Sequence, residues 1–383
     1  MKNPLSSDFI IGFLGAGQLA RMSALQAFRY GMQVAVFSDR PEDEPVQFMT
    51  PHSYSGSFSD VNSMAEFAKK CDVITLENEF IDSEILSELE EISGTSIYPS
   101  PKSFSLIENK LIEKQTFENA GIPVTPYKLI QHHDDLADFG NKHGWPFLLK
   151  SSKGGYDGYG NETVKNPDDA AEAFRKLGGD AGHDIIAEAF VEFTHELAIQ
   201  VARNETGHVV YPCCETVQKN HICVAVKTPA PVSESVQKRA QELALKATEA
   251  IDGKGIFAYE FFLTKKGEVL LNESAPRPHN SGHYSIEGCI TSQFENHVRA
   301  VCGLPLGEPA LVKPAAAMIN LLGTHKRDAI IENAQKAVAD GHLHSYGKLQ
   351  SKPGRKMAHF TLLGEDLEYT YKRAVEITKS IEI

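Results

Sequence analysis

Asn272-Glu273-Ser274-Ala275-Pro276-Arg277-Pro278-His279-Asn280-Ser281-Gly282-His283 puts two kinds of chemistry within twelve residues. It opens with an amide oxygen and a carboxylate. An arginine, a histidine and an asparagine follow, stiffened by two prolines. Glu260, thirteen residues before Glu273, lies in Phe257-Ala258-Tyr259-Glu260-Phe261-Phe262-Leu263, whose alternation and aromatic content predict a strand. Glu268 to Glu273 predicts a second strand after a Lys265-Lys266-Gly267 turn. Such a hairpin sets Glu260 beside Asn272 and Glu273 at one end of a sheet. Carboxylate and amide oxygens converging there are the hard ligands that Mg²⁺ prefers, with phosphate oxygens filling its other positions. A metal beside a stiff anion-binding loop predicts phosphoryl transfer.

The elements that position these residues begin near the N-terminus. Phe9 to Leu14 reads as an apolar strand that runs into Gly15-Ala16-Gly17-Gln18-Leu19-Ala20-Arg21 and an amphipathic helix to about Tyr30. Gln33 to Phe37 is a second strand with Ser38-Asp39 at its end. This βαβ unit with GxGxxA matches a dinucleotide fingerprint, yet the same glycines serve any anion at a helix N-terminus. A third strand, Cys71 to Leu76, ends in Glu77-Asn78-Glu79, and the parallel-sheet domain closes near Tyr98-Pro99-Ser100-Pro101. A helix is expected from Ser103 to Ala120, carrying Lys110 and Lys114. Trp145 to Lys150 is a strand ahead of Ser151-Ser152-Lys153-Gly154-Gly155-Tyr156-Asp157-Gly158-Tyr159-Gly160-Asn161. Four glycines in seven residues there predict a loop that can wrap phosphates, although no GK[ST] follows. Asp184 to Val191 is expected as a strand that Glu192 to Ala198 continues, with Glu188 and Glu196 placed to meet a nucleoside. Ser233 to Ile251 is helical. After Gly303-Leu304-Pro305-Leu306-Gly307 the tail carries short strands and a basic cluster, Lys348, Lys352, Arg355 and Lys356.

Composition sets the outer bounds. A chain of 383 residues with 42% hydrophobic content builds two or three domains with real cores. A formal charge of −13 argues against nucleic acid or an anionic membrane as the main partner. No window approaches a transmembrane span. The six cysteines show no CxxC spacing and read as reduced, buried thiols of a cytoplasmic protein. Fifteen histidines include no HExxH, and His132-His133 and His342/His344 read as loop histidines.

Taken in order, GxGQLxR, Glu77-x-Glu79, Lys150, GGYDGxG, the Glu188/Glu196 segment, Glu260, NExAPRPHNSGH and YGK…GRKMxH resemble the N5-carboxyaminoimidazole ribonucleotide synthetase family. These are ATP-grasp enzymes of purine biosynthesis, and the resemblance covers nearly the whole chain. It implies an α/β (overall α+β) architecture. A Rossmann-like domain, 1–101, would precede an ATP-grasp domain, 102–310, with a mobile lid lobe at about 123–192 and a small, mostly β C-terminal domain, 311–383. The implied reaction carboxylates 5-aminoimidazole ribonucleotide with ATP and bicarbonate through carboxyphosphate.

Carried over residue by residue, Lys110 and Lys150 would touch ATP phosphates under a lid of Gly155, Tyr156, Asp157, Gly158, Tyr159, Gly160 and Asn161. Glu188, Ala189, Phe190 and Val191 would frame the adenine, and Glu196 would hold the ribose with Gln218 close by. Glu260, Glu273 and Asn272 would bind Mg²⁺, with Mn²⁺ as the other candidate. Arg277 would grip bicarbonate, His279 and Asn280 would orient the acceptor, and Tyr156 and Asp157 would reach it from the lid. Gly17, Gln18, Leu19, Glu77, Glu79, Lys348, Arg355 and Lys356 would hold the ribonucleotide. A homodimer is implied as well. The chain departs from the family at Tyr159, Ser151-Ser152, Gln218, His221, Asn78 and Ala358. The competing readings are another ATP-grasp ligase, such as a formate-dependent glycinamide ribonucleotide transformylase, an NAD-dependent oxidoreductase, and a non-catalytic nucleotide-sensing module.

Overall fold

The computed structural model describes residues 2–40, 43–154 and 160–383. Five parallel strands form the first sheet: β1 (Ile10–Leu14), β2 (Gln33–Ser38), β3 (His52–Ser55), β4 (Val73–Leu76) and β5 (Ile97–Tyr98), in the order β3-β2-β1-β4-β5. Its central strands are near-continuous apolar runs because helices cover both faces. Helices α2 (Val61–Ala68) and α3 (Ser83–Ser93) pack with Phe37, Met64, Phe67 and Leu86 on one face. On the other, α1 (Gln18–Arg29) packs Ala20, Ala24 and Ala27 against Ile11, Phe13 and Val34, together with Val298 and Val301 from far along the chain.

The expected helix from Ser103 to Ala120 is two helices, α4 (Pro101–Ser105) and α5 (Lys110–Asn119). Asn109 makes the break: its side chain accepts from the N–H groups of Leu111 and Ile112, which caps a new helix. A four-stranded antiparallel sheet follows, built from β6 (Tyr127–Ile130), β7 (Phe147–Ser151), β8 (Asn161–Val164) and β9 (Ile185–Ala189), and covered by α6 (Asp135–His143) and α7 (Ala170–Lys176).

β10 (Phe193–Asn204) does not continue β9. It belongs to a separate nine-stranded sheet, so residues 190–192 bridge two sheets. That sheet also holds β11 (Gly207–Val210), β12 (Cys214–Lys219), β13 (Ile222–Thr228), β14 (Gly255–Thr264) and β15 (Val269–Ala275). Helix α8 (Glu234–Ala250) lies against it, and α9 (Ser285–Gly288) and α10 (Gln293–Val301) lead back to the first sheet.

The C-terminal segment is longer in its elements than the sequence suggests. β16 (Ala315–Leu322) pairs with β13, β17 (Arg327–Asp328) pairs with β19 (Gln350–Ser351), and β18 (His342–Ser345) pairs with β20 (Lys356–Gly364), which pairs with β16. Helices α11 (Gln335–Asp340) and α12 (Leu367–Thr378) pack on Ala317 and Phe360. β16, β20 and β18 therefore extend the same sheet that holds Glu260. His342 and His344 lie in β18 rather than in a loop, and His344 Nε2 meets Glu287 Oε1 at 2.6 Å.

Candidate active site

β14 and β15 pair Glu260 with Glu273, and Phe261 with Leu271. Asn272 is thus the extra residue of a β-bulge, a device that bends a strand and re-aims its side chains. Two carboxylates and an amide oxygen at one strand end are a hard-oxygen donor set. Among the described residues no group of three or more His, Cys, Asp or Glu side chains forms a cation cage. Two carboxylates leave positions for phosphate oxygens and water, which is how Mg²⁺ is usually held, so these residues fit the ion. Lys110 Nζ stands 3.7 Å from Glu273 Oε2.

Beneath this lies a buried ion cluster. Lys150 Nζ donates to Glu188 Oε2 at 2.9 Å, and Lys114 Nζ lies 3.4 Å from Glu188 Oε1. Burial alone would raise the Glu188 carboxyl, but Lys150 and Lys114 overrule it and hold it at about 2. Glu188 is therefore a fixed anion between two ammonium groups, whereas Ala189, Phe190 and Val191 form the edge leading to β10. Phe190 is exposed. Glu196 sits in β10, opposite Phe262 of β14 and Thr216 of β12. Burial raises its carboxyl, and a hydrogen bond from Gln218 opposes that rise.

Arg277 faces Glu79. Its Nε donates to Glu79 Oε2 and its Nη2 to Glu79 Oε1 at 2.7 Å, a bidentate pair. Glu79, expected at the ribonucleotide, lines the same cavity and also orients the arginine. Burial pushes its carboxyl up, and Arg277 brings it below the usual range. His279 Nδ1 meets Ser281 Oγ at 2.8 Å and the Ser281 N–H at 3.4 Å, while Gln200 donates to the same hydroxyl at 2.8 Å. A nitrogen that accepts from a backbone N–H carries no proton, so the network assigns the proton to Nε2, which lies 3.7 Å from Glu260 Oε1. Burial, then Arg277 and Lys356, depress this imidazole to about 3. His279 is a neutral donor at working pH. Asn280 does not open onto the site: it exchanges amide hydrogen bonds with Asn320 at 2.9 and 2.6 Å, joining the arginine loop to β16.

A cavity of about 250 Å³ lies beyond Arg277, lined by Gly17, Gln18, Leu19, Glu77, Glu79, Lys348 and Arg355 among others. Three distant parts of the chain meet here. Carboxylates take two of the N–H groups around the N-terminus of α1. The Ala16 N–H donates to Glu44 at 2.7 Å and the Leu19 N–H to Glu77 at 3.3 Å. Two carboxylates at the first glycine turn repel a dinucleotide pyrophosphate, and this disfavours the oxidoreductase reading. Burial and Glu44 push the Glu77 carboxyl up to about 7, against the pull of Arg277. Two cations of the cavity, Lys348 and Arg355, come from the C-terminal segment and join Arg40 and Arg277. Burial and Arg355 bring Lys348 down to about 8, and Arg355 Nη2 donates to Asp43 at 2.7 Å. Lys356 is not among the lining residues; its charge bears on His279 and His283.

Gly155, Tyr156, Asp157, Gly158 and Tyr159 lie outside the described residues. The loop resumes at Gly160, whose carbonyl accepts from the Ser151 N–H, and Asn161 opens β8. Sequence reasoning passed over Glu44, Glu113, Gln200, Ser281 and Asn320. All are ordinary polar residues in sequence, and for all but Glu113 only their buried partners mark them. The spacing of Glu113 and Lys114 behind Lys110 was a usable signal, since it sets all three in the first turns of one helix.

Three lysines against Glu188 and Glu273, a two-carboxylate strand pair and a cavity shared by Arg277, Lys348 and Arg355 fit an ATP-grasp ligase. Three family models match: the ribonucleotide synthetase preATP-grasp domain at residues 9–108, the ATP-grasp domain at 115–294, and the phosphoribosylaminoimidazole carboxylase C-terminal domain at 316–373. The N5-carboxyaminoimidazole ribonucleotide synthase of Bacillus subtilis is 36% identical over 92% of this chain and 91% of its own. The phosphoribosylaminoimidazole carboxylase of Ogataea methanolica is 39% identical over 93% of this chain, which spans 67% of that longer protein. A solved structure of N5-carboxyaminoimidazole synthase from Aspergillus clavatus, with ADP and 5-aminoimidazole ribonucleotide, superposes with a TM-score of 0.88 at 34% identity, covering 98% of this chain and 99% of that one. The chain belongs to the N5-carboxyaminoimidazole ribonucleotide synthetase family.

Proposed function

We propose that this chain carboxylates 5-aminoimidazole ribonucleotide, using ATP and bicarbonate, in de novo purine biosynthesis. The observation that carries the residue assignment is the position of Arg277: it follows the Glu260/Glu273 strand pair directly and lines the cavity that Lys348 and Arg355 also line. The phosphoryl-transfer side and the acceptor side share one guanidinium.

Bicarbonate oxygen attacks the γ-phosphorus and ADP leaves, giving carboxyphosphate. This decays to CO₂ and phosphate, and the amine of the ribonucleotide attacks CO₂ and gives up a proton. Lys110 and Lys150 offset charge on the phosphates, which is most of what a protein can do for this transfer. Mg²⁺, held by Glu260, Glu273 and Asn272, supplies further charge neutralisation when bound. Arg277, pre-oriented by Glu79, grips the bicarbonate-derived oxyanion, and His279 donates from Nε2. Glu77, itself held by the Leu19 N–H, accepts from a ribose hydroxyl. Lys348 and Arg355 take the ribonucleotide phosphate. Ala189 to Val191 and Glu196, with Gln218, receive the nucleoside of ATP. The Gly155–Asn161 loop, with Tyr156 and Asp157, keeps water from the short-lived intermediate.

No helix of the described residues is long and apolar enough to cross a membrane, and a cytoplasmic homodimer is the working assignment, checked by sedimentation. The function is tested by ADP release with Mg²⁺ and bicarbonate, with and without 5-aminoimidazole ribonucleotide. We expect strong stimulation by that ribonucleotide and at least roughly a hundredfold loss in Glu273→Gln, the scale for removing a charge-stabilising group. Stimulation by glycinamide ribonucleotide plus formate instead would move the chain to the transformylase reaction.

A further inference from the structure

Two consecutive residues of α5 hold the backbone on either side of Glu273. The Glu113 carboxylate, only 4% exposed, accepts through Oε1 from the Ser274 N–H at 2.7 Å and from the Ser274 hydroxyl at 2.6 Å. The Lys114 ammonium, 2% exposed, donates to the Asn272 carbonyl at 3.3 Å and to Thr125 Oγ1 at 2.8 Å. Asn272 is the bulged residue, and a bulge leaves one residue out of the strand ladder. Peptide groups near it then need partners from elsewhere, and α5 supplies them. Burying a carboxylate and an ammonium is costly unless both are satisfied, so simple core filling does not account for either.

We propose that Glu113, with Lys114 as its counterpart, is a positioning residue of the magnesium site: by gripping Ser274 and Asn272 the two set the bulge so that Glu273 meets the cation. The inference rests on the reading of Glu260, Asn272 and Glu273 as the metal residues. One helix thereby controls both halves of the site, because Lys110, one turn earlier, stands against Glu273 itself. Residues 109–114 fall between the two matched family models, 9–108 and 115–294.

Two conservative variants separate positioning from charge. Glu113→Asp keeps the charge but shortens the arm by a methylene, so it loses Ser274. Glu113→Gln keeps the length and an acceptor oxygen but drops the charge. Mn²⁺ binding to the full chain with ADP present is followed by electron paramagnetic resonance, with ADP affinity in EDTA as the control. We expect Glu113→Asp to weaken Mn²⁺ binding about tenfold or more, as when a group orienting a metal ligand is lost, and Glu113→Gln to stay within about threefold. ADP affinity without metal should change in neither. Equal or reversed effects of the two variants overturn the proposal, as does a parallel loss of metal-free ADP binding in Glu113→Asp. Glu273→Gln tests the underlying reading separately. Unchanged Mn²⁺ binding there would remove the metal site itself, whatever the Glu113 variants do.

Discussion

Glu77 shows how a single carboxyl is tuned by what surrounds it. Burial and the neighbouring Glu44 raise it to about 7, although Arg277 and the Leu19 N–H favour its charged form. A raised acid holds its proton in the folded chain when the unfolded chain has already lost it. Stability therefore falls as pH rises from about 4.5 to about 7, and the whole penalty is present above that window. The free-energy equivalent is at most about 3.5 kcal/mol, and partial exposure of the cavity reduces it to the order of 1–2 kcal/mol. Glu77→Gln should raise the melting temperature by roughly 2 °C at pH 8 and leave it nearly unchanged at pH 5. Equal shifts at both pH values in a thermal melt would refute this origin. The types of residue at the site were legible in sequence because chemistry limits the choices. Their partners were not: nothing near Arg277 in sequence announces Glu79, and nothing near His279 announces Gln200.

At the scale of elements, the first glycine turn is a case of one pattern with two meanings. Gly15 adopts a φ of +106° and its N–H reaches the Phe37 carbonyl at 2.8 Å, as any tight strand-to-helix turn requires. Gly17 is needed for a different reason. Its backbone is extended, but a Cβ there would stand 2.5 Å from Glu77 Oε1. Gly17→Ala should displace the carboxylate that we assign to the ribose. The expected result is a KM for the ribonucleotide raised about tenfold, the equivalent of one hydrogen bond, with metal and ADP affinity unchanged. Steady-state kinetics against ligand titration checks this, and an unchanged KM would move the ribose elsewhere. The hairpin of Glu260 and Glu273 was readable from alternation and the Lys265-Lys266-Gly267 turn. Its bulge was not, because it falls at the polar end of β15, where little apolar alternation remains to reveal the slip. The break at Asn109 was missed for a similar reason: both halves keep helical spacing, and only the cap betrays the new start.

At the scale of the whole molecule, the nine-stranded sheet ties the C-terminal segment to β14 and β15. β16 lies on β13, and Ala316 and Met318 share a core with Tyr211, Cys214 and Tyr284. The arginine loop is fastened to the same strand by Asn280 and Asn320. A chain ended at residue 314 would expose that core and lose Lys348 and Arg355. It should be insoluble or bind hydrophobic dyes, with no cooperative thermal transition. A soluble fragment with a sharp melt and intact ADP binding would show that the segment folds apart.

The sequence by itself determined the α/β character, the strand pair with its two carboxylates, the lysines and the basic C-terminal cluster. These are local facts of residue type and periodicity, and short-range physics settles them. Tertiary structure alone decided that β9 and β10 belong to different sheets, that carboxylates occupy the α1 N-terminus, and that Glu113 and Lys114 brace the bulge. Each depends on which distant groups come within hydrogen-bonding reach. Burial then sets their charge, because a polar group removed from water must find its partner wherever the fold provides one.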